Sequence, residues 1–301
     1  MIENFDDFCL WMYVVVDDVM QSLAPVLQRS GPAAEVSDSE IMTMALLGAC
    51  RGLHQETEML SYWRERPDLF PRVPSQSRFN RRRRALLEVF KLVRQIILRV
   101  MEWSHDAHCT LDSLPVPVVG FHLAPGCSST WKEHGASYGK VSSKKITIFG
   151  YKLHLLVTLE GLILDCMLAP AHMTDLSVAE DLLAPHTDLT VLADKAFISQ
   201  AIAERLQAEQ RIALLTIPRA NQRHQLPASL RRLHNQCRQI IETVNGQLAE
   251  QFQIEVNHAH TFLGLCTRLL TKLTAHTLSI YCNLIHQVAN PLQIKHLAFP
   301  N

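Results

Sequence analysis

The sequence has no pair of cysteines at the spacing of a metal or redox site. Its eight cysteines are scattered, and no Cys-x-x-Cys occurs, so a zinc ribbon or a thioredoxin-like motif is unsupported. A chain of 301 residues can bury a sizeable core without disulfide bonds. Unpatterned cysteines therefore fit a reducing cytosol.

Long apolar runs are absent as well. The longest candidate near the start, residues 11–16, is too short to span a bilayer. Glu3, Asp6 and Asp7 stand where a targeting segment would carry basic residues. Hydrophobic residues make up 48% of the chain, which is ordinary for a globular protein. We therefore expect a soluble cytoplasmic protein with no membrane partner.

The histidines lack the spacing of a hydrolytic zinc site. Such sites use pairs such as two histidines four residues apart on a helix, and none occurs here beside a matching carboxylate. We expect His172, His186 and the pair at 258 and 260 to be core or surface residues. His154 alternates with Lys152 in a strand-like run and is a candidate to line a site.

The formal net charge is zero, but the charges are unevenly distributed. Residues 1–70 hold 12 acidic and 4 basic side chains, whereas residues 71–108 hold 9 basic and 3 acidic ones. Residues 219–239 hold five arginines and no acidic residue. Affinity for a polyanion depends on local cationic clusters that release counterions, not on the total charge. The two basic segments therefore favour a nucleic-acid partner over the alternative of solvated helix faces.

The first hundred residues are predicted to be helical. Ser-Asp-Ser-Glu at 37–40 has the pattern of a capping box, and apolar residues at helical spacing follow it. A second helix is predicted to start near Ser75. Its apolar stripe is formed by residues three, four or seven apart: Phe79, Leu86, Phe90 and Val93.

Five arginines occupy the other faces of this second helix: Arg78, Arg81, Arg82, Arg83 and Arg84. A serine at the helix N-terminus and a row of guanidinium groups suit contact with phosphate. The segment is similar to a helix-turn-helix unit, and an accessory helical bundle is the alternative. We predict that residues 74–99 make the main contact with DNA.

From about residue 107 strands and helices alternate. A strand is predicted over 108–119, with Pro115 and Pro117 ending its regular pairing. Glu160-Gly161 then joins two strand-like runs, 148–159 and 162–168, into a hairpin. The remaining segments are predicted as helix, strand, helix, strand and two long helices at 176–183, 190–193, 200–209, 211–217, 229–253 and 261–288.

This order of elements is that of an RNase H-like fold. We predict an α/β protein whose mixed five-stranded sheet has the first strand at its centre, later strands parallel to it, and flanking helices. The change of pattern predicts an all-helical N-terminal DNA-binding region over 1–105. The RNase H-like catalytic domain, with its C-terminal helices, is expected over 106–301.

Three carboxylates stand in settings that suit catalysis. Asp112 and Asp194 each lie where an apolar strand-like run meets polar residues, and Glu242 lies in a helical pattern. His234, Arg238 and Glu242 are four apart and share one helix face. Carboxylates on two strands and a helix can converge on a pair of hard cations that hold the attacking and leaving oxygens of a phosphodiester. The pattern therefore indicates a metal-dependent nuclease.

Each carboxylate also has a structural interpretation. A lone aspartate after a strand is commonly a turn residue or a helix N-cap, and Asp175 and Asp188 have an equal claim to such roles. A glutamate four residues after an arginine is usually a surface ion pair. The matched strand, strand and helix settings favour catalysis for Asp112, Asp194 and Glu242 taken together.

Short motifs over nearly the whole chain carry a family resemblance. They are Ser-Asp-Ser-Glu at 37, Pro-Ser-Gln-Ser-Arg-Phe-Asn-Arg-Arg at 74, Leu-Asp-Ser-Leu-Pro-Val at 111, Phe-Gly-Tyr-Lys-Leu-His at 149, Asp-Lys-Ala-Phe at 194 and Arg-Gln-Ile-Ile-Glu at 238. With them the chain resembles bacterial insertion-sequence transposases of the DDE class, and more narrowly the insertion-sequence nine-eighty-two family.

The resemblance implies an activity and its machinery. It places the catalytic and metal-binding carboxylates on Asp112, Asp194 and Glu242. It implies two Mg²⁺ ions, which Mn²⁺ would replace. It also implies double-stranded DNA as partner, both at the terminal inverted repeats of an element and at its target. A homodimer on DNA in the bacterial cytoplasm, associated with the nucleoid, is the expected setting.

A related transposase group carries Tyr-x-x-Arg-x-x-x-Glu-x-x-x-x-x-x-Lys. Arg238 and Glu242 match this motif, but Asn235 and Ala249 replace its tyrosine and lysine. Lys152 or Lys272 could supply the missing cation. Lys152 and Arg238 are also candidates for contact with DNA, whereas Lys195 is interpreted as structural because it points away from Asp194 on a strand.

The expected function is thus a DNA transposase that cuts at terminal inverted repeats and joins 3′-hydroxyl ends to target DNA. The alternatives are another RNase H-like nuclease, such as a resolvase, and a non-catalytic DNA-binding protein from a decayed element. The basic N-terminal region favours the transposase over a structure-specific nuclease. The presence of all three carboxylates speaks against decay.

Overall fold

A computed structural model describes residues 2–27, 34–101, 107–141, 145–216 and 227–298. The chain forms two compact units. The first unit comprises residues 1–101, 247–254 and 258–301, and the second comprises 102–246 and 255–257. Arg219 and Arg223 of the second basic segment lie outside the described residues, and so do the side chains of Lys195 and Arg231.

The elements follow one another in this order: α1 (Phe5–Leu23), α2 (Asp38–Arg51), α3 (Glu56–Arg64), α4 (Gln76–Ala85), α5 (Leu87–Val100), β1 (His108–Val119), α6 (Ser129–Glu133), β2 (Ser137–Val141), β3 (Ile146–Thr158), β4 (Ile163–Pro170), α7 (Asp175–Leu183), β5 (Thr190–Ala193), α8 (Gln200–Gln210), β6 (Ala213–Thr216), α9 (Ala228–Glu250) and α10 (Phe262–Ile285). The expected α/β class with a helical N-terminal region is confirmed.

Helix α2 begins with the predicted capping box. The Ser37 hydroxyl accepts a hydrogen bond from the Glu40 N–H at 3.0 Å, and the Ser37 N–H donates to the Glu40 carboxylate. These two bonds satisfy backbone donors that a helix start would otherwise leave unpaired. Nearly every residue of α2 is buried, so this helix forms the centre of the first unit.

The predicted arginine-rich helix is two helices that meet at Leu86. α4 ends at Ala85 and α5 begins at Leu87, because the intervening residue departs from helical geometry (φ −91°, ψ 11°). The apolar stripe is confirmed, because Phe79, Phe90 and Val93 are fully buried and Leu86 nearly so. Ser75 is the N-cap residue of α4, but its side chain makes no capping hydrogen bond.

The C-terminal helix α10 packs against α2 and α5 in the first unit. The sequence interpretation includes the C-terminal helices in a catalytic domain over 106–301, and that domain boundary stays a prediction. Periodicity marks the apolar face of a helix but carries no information about which element covers that face. Tertiary packing therefore decides which helices, more than 150 residues away in the sequence, cover the apolar face of α10.

The sheet of the second unit is mixed and, within the described residues, six-stranded. Its order is β2-β3-β1-β5-β6, and β4 pairs with β3 as well. β3 is long enough to hold β2 along residues 146–150 and β4 along 151–157. The predicted hairpin, the central first strand and the parallel β5 and β6 are all present. The additional strand β2 lies in the segment for which the sequence predicted no element.

Pro115 and Pro117 do not end the pairing of β1, which continues along β3 to Val119. On its other side β1 pairs with β5 only as far as Leu111, so no strand there requires the N–H groups that proline lacks. Gly150, with φ 153°, lies opposite Pro117. A Cβ at this glycine would lie 2.4 Å from the Val116 carbonyl oxygen, so the close approach of the strands requires glycine.

A buried ion cluster links three helices of the first unit. The Glu56 carboxylate accepts hydrogen bonds from Arg83 at 2.6 Å, from Arg268 at 3.2 Å and from Asn80 at 2.8 Å. Its side chain is only 4% exposed. The cluster joins α3, α4 and α10, and removing the single carboxylate would leave two guanidinium groups without a counter-charge.

We predict that Glu56→Ala lowers the free energy of unfolding by about 3–5 kcal/mol, because breaking a buried ion pair leaves an uncompensated charge. Urea unfolding followed by circular dichroism measures the change. Glu58→Ala is the matched control, since Glu58 lies on the same helix and is exposed. Equal midpoints for the two variants would contradict a structural role for the cluster.

Candidate active site

The parallel pairing of β1 and β5 places two aspartates side by side. Leu111 is in register with Ala193, so the next residues along the two strands are Asp112 and Asp194. α9 brings Glu242 to the same place. All three carboxylates, together with Arg238, line one cavity of about 200 Å³ in the second unit.

Asp112 is the most enclosed of the three. Its Oδ1 accepts a hydrogen bond from the Ser113 N–H at 2.8 Å, and its Oδ2 accepts one from the Asn245 amide at 2.7 Å. Burial raises the pKa of this carboxyl from 3.8 to about 6; the Ser113 N–H opposes this shift, and the negative charges of Asp194 and Asp175 add to it.

Glu242 and Arg238 form an ion pair on the surface of α9. The Arg238 Nε donates to the Glu242 carboxylate at 2.8 Å, and this hydrogen bond raises the pKa of the guanidinium. Both side chains remain more than half exposed, so the pair adds little stability. Glu242 can therefore exchange Arg238 for another cation at small cost. Asp194 is likewise exposed.

His234 shares the inner face of α9 with Arg238 and Glu242, as their spacing predicted. It is buried, and its Nε2 lies 3.2 Å from the Ala193 carbonyl oxygen at the end of β5. All three side chains line the cavity. The contact of His234 with this carbonyl joins α9 to the end of β5, directly before Asp194.

Asn245 is a member of the cavity that the sequence interpretation missed. Its amide donates to Asp112. The signal was present in the helical spacing, because Asn245 lies three residues after Glu242 and seven after Arg238 and so falls on the same face. An asparagine on a helix carries no charge pattern, and for that reason it was not singled out.

Lys152, a candidate contact for DNA, is bound inside the protein. Its Nζ donates to Asp175 at 3.0 Å, and Asp175 also accepts from the Ser113 hydroxyl at 3.4 Å. His154 lies beside them, with Nε2 3.9 Å from Asp175, and burial lowers its pKa to about 4. None of these side chains lines the cavity except Ser113. Lys152 therefore neutralises Asp175, one of the groups that raise the pKa of Asp112.

Lys272 is not a member of this cavity either. It belongs to α10 in the first unit, where its Nζ donates to the Gln253 carbonyl at 2.8 Å. Burial, followed by the charges of Arg268 and Arg83, lowers its pKa to about 7. Neither Lys152 nor Lys272 therefore lines the cavity in place of the lysine that Ala249 replaces.

The oxygen donors of the cavity fit a hard divalent cation by their chemistry. Three carboxylates are typical of Mg²⁺ or Mn²⁺ sites, and the histidine that also lines the cavity, His234, has its Nε2 at the Ala193 carbonyl. In the described part of the chain, however, no three ligand-type side chains are close enough to hold one ion as they stand. Asp194 and Glu242 are exposed, whereas Asp112 is held by two hydrogen bonds.

The five arginines predicted to contact DNA are divided by the fold. Arg83 is buried against Glu56, and Arg82 binds Asp38 and the Val36 carbonyl. These two contribute to the structure of the first unit, although Arg82 also lines the groove described next, and their contact with DNA stays a prediction. Arg78 and Arg81 are exposed, and Arg84 is half-buried. The helix period decides this division, since only one side of α4 can face solvent.

A groove of about 710 Å³ lies along the exposed side of α4. Arg78 and Arg81 line it together with Arg72 and Ser75. Arg72 pairs with Glu35 at 3.3 Å, and both of these side chains are largely exposed. The groove is therefore a basic surface of the first unit, and it is lined by three of the five arginines that the sequence predicted to contact DNA: Arg78, Arg81 and Arg82.

The fold and the site together define an RNase H-like domain with an acidic cavity at the ends of two parallel strands. Residues 129–261 match the family described as "Transposase DDE domain". The matched range contains Asp194, Glu242 and Asn245 but not Asp112. No curated protein matches the chain. The family match supports a DDE transposase.

None of the described helices is long and apolar enough to cross a membrane.

We predict that Asp112→Asn raises the stability of the metal-free protein by about 2 kcal/mol more at pH 7.5 than at pH 4. The pKa of Asp112 is higher in the folded state than in the unfolded one, so the folded state binds the proton more tightly between pH 4 and 6. Ionisation above pH 6 then destabilises the native state, and asparagine removes this pH-dependent penalty. The NH₂ group of the variant faces one of the two donors that Asp112 accepts from, and this cost is the same at both pH values.

Thermal or urea unfolding in EDTA at both pH values measures this effect. Asp188→Asn is the control, because Asp188 is exposed and the Arg211 side chain lowers its pKa, so its replacement brings no gain at pH 7.5. An equal effect of Asp112→Asn on stability at pH 4 and at pH 7.5 would show that burial does not penalise this carboxylate.

Proposed function

We propose that the chain is a DNA transposase of the DDE class that cuts at the terminal inverted repeats of an element and joins the resulting 3′-hydroxyl ends to target DNA. The observation that carries the proposal is that Asp112, Asp194 and Glu242 line one cavity. The match of residues 129–261 to a transposase DDE domain supports the same activity. The insertion-sequence nine-eighty-two family remains the narrower proposal.

Asp112, Asp194 and Glu242 are the residues that would hold two Mg²⁺ ions, for which Mn²⁺ would substitute. Bound there, the ions would activate the attacking oxygen and stabilise the leaving oxygen of a phosphodiester. The protein contributes the orientation of Asp112, whose two oxygens are fixed by the Ser113 N–H and Asn245. Arg238, which lines the cavity and is half exposed, would contact a phosphate oxygen once Glu242 turns to a cation.

The proposed partner is double-stranded DNA, bound by a homodimer in the bacterial cytoplasm and nucleoid. The basic groove along α4 is proposed to contact the terminal repeat through Arg78 and Arg81, whose guanidinium groups are exposed. Such contacts go to the phosphate backbone and set the position of the protein on the duplex.

We predict that Asp112→Ala reduces DNA cleavage by roughly 10³-fold or more, because the variant no longer has a carboxylate that holds the metal. Binding to the same DNA should persist, since the arginine groove is unchanged. The substrate is end-labelled DNA that contains the short inverted repeats flanking the gene. Cleavage and strand transfer are measured in Mg²⁺, and binding by gel shift in Ca²⁺.

Asp188→Ala, an exposed aspartate of the same unit, is the control and should cleave normally. If Asp112→Ala cleaved DNA at nearly the rate of the unmodified protein, the proposed mechanism would be wrong. Cleavage of branched DNA without strand transfer would instead favour a resolvase-like nuclease.

We predict that the double variant Arg78→Ala/Arg81→Ala binds the terminal repeat more weakly and with a smaller salt dependence. The plot of log affinity against log salt should become less steep by about 1.8, because each phosphate that is no longer neutralised accounts for roughly 0.9. Fluorescence anisotropy over a range of NaCl concentrations measures the slope. Lys91→Ala with Arg99→Ala removes the same charge from exposed positions of α5 and should change the slope less. Equal slopes for both double variants would remove α4 from the DNA interface.

A further inference from the structure

Asn245 has the environment of a functional side chain, not of a surface asparagine. It is half-buried, and its amide nitrogen lies 2.7 Å from Oδ2 of Asp112. Among the described residues it is the side chain that donates to this carboxylate; the other oxygen, Oδ1, is served by the Ser113 backbone. Both carboxylate oxygens are thereby fixed, one from β1 itself and one from α9.

The orientation of the Asn245 amide follows from its partner. An amide that faces a carboxylate must present its NH₂ group, because two oxygens would repel each other. The amide oxygen Oδ1 is therefore directed elsewhere. It is buried and has no hydrogen-bond partner among the described residues. A buried acceptor without a donor is unfavourable and uncommon in folded proteins.

The position of Asn245 on α9 connects the two halves of the cavity. It lies less than one turn beyond Glu242, on the same helix face, and both residues line the cavity. Its bond to Asp112 joins the helix that carries the glutamate to the strand that carries the first aspartate. The separation of Asp112 and Glu242 is thus set in part by this one hydrogen bond.

We propose that Asn245 is a positioning residue of the active site, which orients Asp112 through its amide nitrogen and offers its amide oxygen as a fourth, uncharged oxygen for the cation or its bound water. The inference rests on the proposed function, because it assumes a cation in this cavity. Groups that orient metal ligands change metal affinity by roughly 10- to 100-fold when removed.

Binding of Mn²⁺ to the DNA-free protein, followed by electron paramagnetic resonance, tests the inference without using activity. We expect Asn245→Ala to raise the Kd for Mn²⁺ about tenfold. Asn245→Asp, which has the same shape, should bind Mn²⁺ at least as tightly as the unmodified protein, because it adds a negative charge. It should nevertheless cleave DNA poorly, since a carboxylate cannot donate to Asp112.

Asn257→Ala is the matched control. Asn257 is also half-buried, and its amide donates to β1 at the Val118 carbonyl, 3.2 Å away, but it does not line the cavity. A merely structural role for Asn245 predicts that Asn245→Ala and Asn257→Ala lose stability alike while their Mn²⁺ affinity remains normal. That result would overturn the inference.

The outcomes separate this inference from the proposed function. If Asp112→Ala abolishes Mn²⁺ binding and cleavage while Asn245→Ala changes neither, only the role of Asn245 is wrong. If Asp112→Ala retains both, the cavity is not the metal site, and the proposed function fails with the inference. Opposite effects of Asn245→Ala and Asn245→Asp on Mn²⁺ affinity, with cleavage lowered in both, would support the inference.

Discussion

The register between β1 and β5 is the constraint on which the site depends. Because Leu111 pairs with Ala193, Asp112 is the next residue of β1 and Asp194 is the first residue after β5. A slip of one residue would turn one of these side chains to the opposite face of the sheet. The buried residues Cys109, Leu111 and Val191 hold this register, since they belong to one apolar core that a slip would expose. The fold thus buries Asp112 beside a second carboxylate; burial, and to a smaller extent the charge of Asp194, raise the pKa of Asp112.

The helix α9 completes the site through polar contacts at successive turns. His234 meets the end of β5, Arg238 pairs with Glu242, and Asn245 holds Asp112. The contact at Asn245 opposes the repulsion of neighbouring carboxylates, and the contact at Arg238 supplies a positive charge on the rim. In a cavity where burial disfavours negative charge, such donors keep an aspartate oriented.

The basic residues of the chain serve two different ends. In the first unit, Arg83 and Arg268 share the buried carboxylate of Glu56 and join helices from distant parts of the sequence. Arg78 and Arg81, on the same helix as Arg83, remain in solvent. The face of α4 on which an arginine lies thus decides whether it packs inside the unit or remains exposed to a binding partner.

The sequence by itself determined the local features: the capping box at Ser37, the hairpin around Gly161, and the matched settings of the two aspartates. Each depends on neighbours within a few residues, and the order of elements then limits the sheet to few topologies. Only the tertiary structure decided which arginines are buried, which unit α10 joins, and that Asn245 reaches Asp112 across 133 positions. Such contacts depend on packing between distant elements, which leaves no periodic signal in the chain.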